Sequence, residues 1–252
     1  MSPVFSHNRE RVLAGDIAAE FMAAVLNLSE ITPLLSSQHF SMHGMQIQAW
    51  ASMKSFRRRD GSDQYGGPDR DGDRDFHKEK RSHEKHASTT GPDPRLSSKS
   101  KGREAKLTFT GHLLMENRSS LVVDSLLTRA SGTAKPAAAL DMLDHELGSG
   151  QISVGADKAY DTADFVAQAR DPQVTPHVAQ DITPYRSSNI DDRPTRHERY
   201  RVSQVIRKRI EETNGWIKEV AGMVQTKQRG SARVAFGFRF VANAYNLIRL
   251  LN

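Results

Sequence analysis

One stretch of this 252-residue chain cannot contribute to a hydrophobic core, and it divides the sequence in two. Residues 57–95 contain no Val, Ile, Leu or Met and consist mostly of Arg, Asp, Gly, Lys, His and Ser. Such a stretch buries too little apolar surface to offset the entropy that is lost on ordering. We therefore predict a mostly disordered or loosely docked insertion over about residues 57–103, and the fold must be built mainly from the residues on either side of it.

Several histidines and glutamates of this insertion leave two interpretations open. The residue types suit a metal site, but their spacing is irregular, so a solvated polar run is the preferred interpretation. The residues concerned are His77, Glu79, His83, Glu84 and His86.

The composition of the chain excludes several classes of protein. There is no cysteine, which excludes disulfides, thiolate metal sites and a cysteine nucleophile. No run approaches the roughly 20 apolar residues of a membrane-spanning helix, and no secretory signal opens the chain. We expect a soluble, cytoplasmic protein with no membrane partner.

Hydrophobic spacing predicts an α/β fold with a mixed sheet. Apolar residues at helical spacing indicate a helix over 12–28, and alternation indicates a strand or strand pair over 39–50. A polar turn at 116–119 predicts a hairpin. The remaining predictions alternate helix and strand, as α/β folds do: strands 107–115, 120–127, 152–156 and 174–178, and helices 135–147, 161–170, 202–220 and 232–251.

The basic charge of the chain is concentrated in one segment. The net charge is +6, yet residues 193–233 alone contain eleven Lys and Arg against four Asp and Glu. Such a cluster suits a polyanion, since lysines and arginines that neutralise phosphates release counterions. A solvated basic face without a partner explains the charge equally well.

Two acidic residues are candidates for chemistry. Asp157 directly follows a short strand, where open α/β sheets place catalytic groups. Glu211 lies on a predicted helix, with Arg207 and Lys218 on the same face. Carboxylates in this order suit a Mg²⁺ site for phosphoryl transfer. An ordinary turn residue and an ordinary ion pair of a solvated helix are the alternatives.

The same segments resemble the DDE transposases of bacterial insertion sequences, in particular the insertion-sequence-five-like group. Residues 155–161 (GADKAYD) resemble the second catalytic motif of that family, and Arg207, Glu211 and Lys218 resemble the third. Further matches are residues 49–56 (AWASMKSF), 86–90 (HASTT), 111–118 (GHLLMENR) and 244–249 (AYNLIR).

This resemblance implies an RNase H-like fold that cleaves and transfers DNA strands with Mg²⁺ or Mn²⁺. Asp157 and Glu211 would be catalytic and would hold the metal. Residues 1–33 would be an N-terminal helical remnant, and residues 34–252 the catalytic domain. The partners would be double-stranded DNA (terminal inverted repeats and target) and a second copy, in the bacterial nucleoid. The expected DNA contacts are Arg207, Lys218, Lys227, Arg229 and Arg233.

The sequence departs from the family pattern at its first acidic position. His43 stands where the resemblance places the first catalytic Asp, and Gln48 stands where the family strand tends to carry an acid. A neutral imidazole replaces a carboxylate poorly on Mg²⁺. Asp124 is a conceivable substitute, although a structural role is the preferred interpretation.

The start of the chain departs from the family as well, since the longer N-terminal helical region is missing. We therefore expect a truncated transposase with impaired activity, or a catalytically inactive DNA-binding remnant. A structural RNA-binding protein is a third alternative.

Overall fold

The computed structural model describes residues 8, 11, 13, 16–60, 85–98, 102–146, 151–171, 173–182 and 187–251. Among these residues, the first half of the chain contains α1 (Ile17–Leu26) and the strands β1 (His39–Gln48), β2 (Phe56–Arg58), β3 (His86–Ser88), β4 (Arg95–Ser98), β5 (Ala105–Glu116) and β6 (Val122–Arg129). Helices dominate the second half: α2 (Ala134–Glu146), β7 (Ile152–Ala156), α3 (Ala163–Arg170), β8 (Val174–Val178), α4 (Asp192–Thr195), α5 (Glu198–Ile206), α6 (Arg209–Glu219) and α7 (Ser231–Leu250).

A six-stranded mixed sheet forms the centre of the protein. Its main order is β6-β5-β1-β7-β8. β4 and β6 share the edge of β5 that faces away from β1: β4 pairs with residues 105–108 of β5 and β6 with residues 109–115. β1 pairs antiparallel with β5 and parallel with β7, and β7 pairs parallel with β8. Three antiparallel strands followed by two parallel ones, with helices on both faces, form an RNase H-like fold. The predicted α/β fold with a mixed sheet is confirmed.

The two faces of the sheet carry separate apolar clusters, because successive strand residues point to opposite sides. On one face, Met42 and Leu114 pack with residues of α2 and α3. On the other face, Met45 and Leu113 pack with residues of α6 and α7. The side chain of His43 lies on this second face, since His43 is directly opposite Leu113 in the ladder.

Glycine at position 111 lets α7 approach the sheet closely. A Cβ added to Gly111 would lie 2.6 Å from Cζ of Phe238, which is buried on α7. Any larger residue at position 111 therefore requires the Phe238 ring or the packing around it to shift.

α1 covers Ile17–Leu26 within the predicted helix over 12–28. Three apolar residues at the helical spacing behind that prediction, Ile17, Phe21 and Leu28, are exposed, whereas Val25 is buried. Ala18 and Met22 are also buried, because α1 packs on α7 through the small Ala18 side. The Asn243 side-chain amide also donates a hydrogen bond to the Ala18 carbonyl oxygen.

The prediction of one continuous helix over 202–220 is wrong, because the structure has two helices there. α5 ends at Ile206, and α6 begins at Arg209 after a short connection. The break lets α5 pack on β7 and β8 while α6 packs on β1. One straight helix cannot follow both parts of a twisted sheet.

Both ends of the range 57–103, over which we predicted a mostly disordered or loosely docked insertion, contain paired strands. β2 and β3 pair with each other, with the Phe56 and His86 rings stacked at 5.7 Å between centroids. β4 pairs with the free edge of β5. Pairing with other strands thus stabilises these short strands. Residues 61–84 lie outside the described residues, so the suggested histidine cluster is placed only at His86, which is buried.

No helix in the described part of the chain combines the length and the apolar character that crossing a bilayer requires.

Candidate active site and nucleic-acid interface

The strand positions bring His43 and Asp157 together. β1 and β7 run parallel with His39 beside Ser153, so His43 is level with the residue that follows β7, which is Asp157. One carboxylate oxygen of Asp157, Oδ1, accepts a hydrogen bond of 2.7 Å from the Ala159 backbone N–H. This bond caps the short turn Lys158–Tyr160 and orients the carboxylate.

The other oxygen of Asp157 faces two basic side chains. His43 Nδ1 lies 3.7 Å from Asp157 Oδ2, and Lys135 Nζ lies 3.5 Å from the same oxygen. Lys135 is in the first turn of α2, on the sheet face opposite to the His43 side chain. Asp157 is therefore approached by nitrogen atoms from both sides of the sheet.

Glu211 and Lys218 lie close enough to affect the ionisation of His43. The pKa of His43 is below its usual value because burial disfavours the charged imidazole and Lys135 repels it, with Lys218 acting in the same direction. The negative charges of Asp157 and Glu211 act in the opposite direction. The net result favours a neutral imidazole.

Glu211 itself is on the outer side of this cluster. Its side chain is 58% exposed, and its Oε1 lies 3.9 Å from Arg207 Nη1. This exposed carboxylate remains accessible to an incoming ligand.

The side chains present do not fit a Mg²⁺ or Mn²⁺ ion. Within the described ranges, no group of three His, Cys, Asp or Glu residues is placed to hold a metal ion. Asp157 has an imidazole and an ammonium group as neighbours instead of the oxygen ligands that these ions prefer. The predicted pair of Asp157 and Glu211 is thus found near His43, without a complete set of metal ligands around it.

Asp124 does not compensate for the absence of a carboxylate at position 43. It is opposite Leu114 on β6, which places its side chain on the face away from His43. Its Oδ2 lies 3.2 Å from His145 Nδ1. These contacts favour a structural role for Asp124.

The five predicted DNA-contact residues differ in exposure. Arg207 is largely buried, and its Nε donates a hydrogen bond of 2.7 Å to Gln204 Oε1. Lys218 and Arg233 are half-buried, on α6 and in the first turn of α7, whereas Lys227 and Arg229 are exposed.

The connection that carries Lys227 and Arg229 is attached to the carboxyl end of β1. The Gln48 N–H donates to the Val224 carbonyl oxygen at 2.9 Å, and the Thr226 N–H donates to the Gln48 carbonyl oxygen at 2.8 Å. Because β1 and β7 are parallel, this is also the end of the sheet at which Asp157 lies.

The sequence profile of the family described as Transposase DDE domain matches residues 80–247, two thirds of the chain. The chain belongs to the DDE transposase domain family. The match includes Asp157 and Glu211 and begins after β1, so His43 lies outside it. No curated protein sequence matches the chain.

Solved transposase structures share a low level of similarity with this DDE transposase domain. One is the piggyBac transposase synaptic complex with hairpin DNA, at 7% identity and a TM-score of 0.39 over 84% of this chain and 48% of that one. The others are a pre-cleavage Mos1 transpososome and the Mos1 mariner paired end complex with Mn, both at 9% identity and a TM-score of 0.28. These two matches extend over 93% and 95% of this chain and over 59% and 60% of the respective Mos1 chains. The chain thus spans about half to three fifths of their length.

Two features of this DDE transposase domain were not predicted from the sequence. Lys135 reaches Asp157, although nothing in its local sequence distinguishes it from other surface lysines. Part of the basic segment also lines a cleft of about 1040 Å³ at the amino ends of β7 and β8, through Arg193 and Arg199. The basic excess is therefore divided between the carboxyl ends and the amino ends of the parallel strands.

Proposed function

We propose that this protein binds double-stranded DNA ends as a DDE transposase whose metal-dependent strand cleavage and transfer is impaired. The observation that carries the proposal is the 3.7 Å approach of His43 Nδ1 to Asp157 Oδ2. The family match supports DNA as the substrate, and the resemblance to the insertion-sequence-five-like group suggests insertion-sequence ends as the sites.

The impairment follows from the chemistry of hard cations. Metal ions that assist an in-line displacement at phosphorus activate the nucleophile and stabilise the leaving oxygen. Mg²⁺ is usually held by carboxylates, which supply oxygen and negative charge. His43 supplies neither, so Asp157 and Glu211 would be the remaining acids for this role. Complete loss of cleavage would make the protein a catalytically inactive DNA-binding remnant.

We propose that DNA lies along the carboxyl end of β1 and β7. The phosphate contacts in this proposal are Arg207, Lys218, Lys227, Arg229 and Arg233, supported by the position of the 220–230 connection at that end. Two copies would hold the two ends of an insertion sequence, and DNA binding would keep the protein at the nucleoid.

Salt dependence of DNA binding tests the placement of the DNA. Duplexes taken from both sides of the gene are titrated with protein at several salt concentrations. We expect Lys227→Ala and Arg229→Ala each to reduce the slope of log K against log salt by about one. Arg201→Ala is the control, because Arg201 is exposed on α5 and forms an ion pair with Glu198. Equal slopes for all variants and the wild type would contradict the placement.

A cleavage assay with Mn²⁺ on the same duplexes tests the impairment. We expect little or no cleavage by the wild type, close to the background of Asp157→Asn. Rapid cleavage by the wild type that Asp157→Asn abolishes would overturn this part of the proposal.

A further inference from the structure

The ammonium group of Lys135 lies beside Asp157 and is held there by two contacts. Its Nζ is 3.5 Å from Asp157 Oδ2 and 5.9 Å from the centroid of the Tyr160 ring, within the range of a cation–π contact. Tyr160 is fully buried, and the Lys135 side chain is 30% exposed. The ammonium group is thus held between a carboxylate and an aromatic ring.

Gly44 gives the lysine stem room to reach this position. A Cβ at Gly44 would lie 2.9 Å from Lys135 Cγ and 3.1 Å from Lys135 Cε, so the aliphatic stem crosses β1 directly over the glycine. The residue next to His43 therefore lacks a side chain at the place where Lys135 passes.

These contacts make a divalent ion at Asp157 unfavourable for two independent reasons. The ion would have to displace or approach an ammonium group, and like charges repel strongly in a partly buried site. It would also find the His43 imidazole where a carboxylate is needed. The hydrogen bond from the Ala159 N–H to Oδ1 holds the carboxylate in the orientation that faces Oδ2 towards both side chains.

We propose that Lys135 is an internal cation that takes the place of a divalent metal ion at Asp157. The protein then binds neither Mg²⁺ nor Mn²⁺ at this position, and replacing His43 alone does not restore a metal site. A consequence for DNA binding rests on the proposed function. Phosphates at the carboxyl end of β1 and β7 would contact lysine and arginine side chains, and DNA binding would need no divalent ion.

Titration of the DNA-free protein with Mn²⁺ tests this role, with free Mn²⁺ measured by electron paramagnetic resonance. We expect no Asp157-dependent binding by the wild type up to millimolar Mn²⁺. The double variant His43→Asp with Lys135→Gln should bind Mn²⁺ at least about tenfold more tightly than His43→Asp alone, because the repelling charge is gone. Glutamine retains the stem over Gly44, and adding Asp157→Asn should abolish the binding.

Lys158→Gln in the His43→Asp background is the matched control. Lys158 follows Asp157 in the sequence, but its ammonium group lies 3.8 Å from Asp181 Oδ1. We expect no increase in Mn²⁺ affinity from this change. Thermal unfolding of each variant verifies that it is folded.

Two results would overturn the role of Lys135. One is a wild-type Mn²⁺ site that Asp157→Asn removes. The other is equal Mn²⁺ affinity of His43→Asp with and without Lys135→Gln. DNA binding in EDTA should be at least as tight as in Mg²⁺, since the proposed contacts to basic side chains need no divalent ion and Mg²⁺ competes with them for the phosphates. A failure of all DNA binding would contradict the proposed function, while the Mn²⁺ titration would still decide the role of Lys135.

Discussion

Acid should destabilise this protein through His177, which is buried in β8. Burial lowers the pKa of His177 to about 4, and the charges of His39 and His197 act in the same direction. In the unfolded chain the pKa is 6.5.

The unfolded state therefore binds the proton first as the pH falls. The stabilising contribution of neutral His177 is complete above about pH 6.5 and is lost as the pH falls towards 4. The difference of about 2.5 between the two pKa values corresponds to about 3 kcal/mol.

Urea unfolding of the wild type and of His177→Gln at about pH 7 and about pH 4 measures this contribution. Glutamine does not titrate, so we expect the wild type to lose about 3 kcal/mol more free energy of unfolding than the variant on acidification. Titrating groups that do not interact with His177 are common to both proteins and cancel. His145→Gln should behave like the wild type, because the His145 side chain is 62% exposed. Equal losses by the wild type and His177→Gln would refute the reasoning.

Two further predictions concern packing and buried hydrogen bonds. Gly111→Ala should lower the free energy of unfolding by about 1–3 kcal/mol in urea titrations, because the new methyl group overlaps Phe238. Gly215→Ala has nothing within 4 Å of the added Cβ on α6 and should raise it by about 1 kcal/mol; the same sign for both changes would contradict the packing. Asn246→Leu removes two hydrogen bonds, from the Val122 N–H to Asn246 Oδ1 and from Asn246 Nδ2 to the Val122 carbonyl oxygen. It should cost about 1–3 kcal/mol per group left unpaired and accelerate exchange of the Val122 amide hydrogen, whereas unchanged exchange would contradict it.

The strands were easier to predict than the helices, for physical reasons. β5 to β8 have apolar or alternating residues between clear turn signals, and the predicted ranges agree closely with the structure. The break between α5 and α6 has no such signal. Arg207 and Lys208 both retain right-handed helical backbone angles, and neither proline nor glycine marks the connection. Only packing against different strands separates the two helices.

The residues of the candidate site differ in the kind of signal they carry in the sequence. Asp157 follows a recognisable strand, and its Oδ2 lies 3.7 Å from His43 Nδ1. Lys135 has no comparable signal, since its role depends on Gly44, which lies 91 positions earlier in the chain. A contact of this kind is visible only when the strands have been assembled.

β1 is the central strand of the sheet, and its position has a consequence for synthesis of the protein. Phe40 pairs with Glu116 in β5, and His39 pairs with Ser153 in β7. β1 therefore leaves the ribosome with both edges unpaired. At typical rates of 5–20 residues per second, completing β7 takes about 5–20 s more. Exposed strand edges pair readily with other chains, so chains that stop before Ala156 keep one edge of β1 open and should be prone to aggregate.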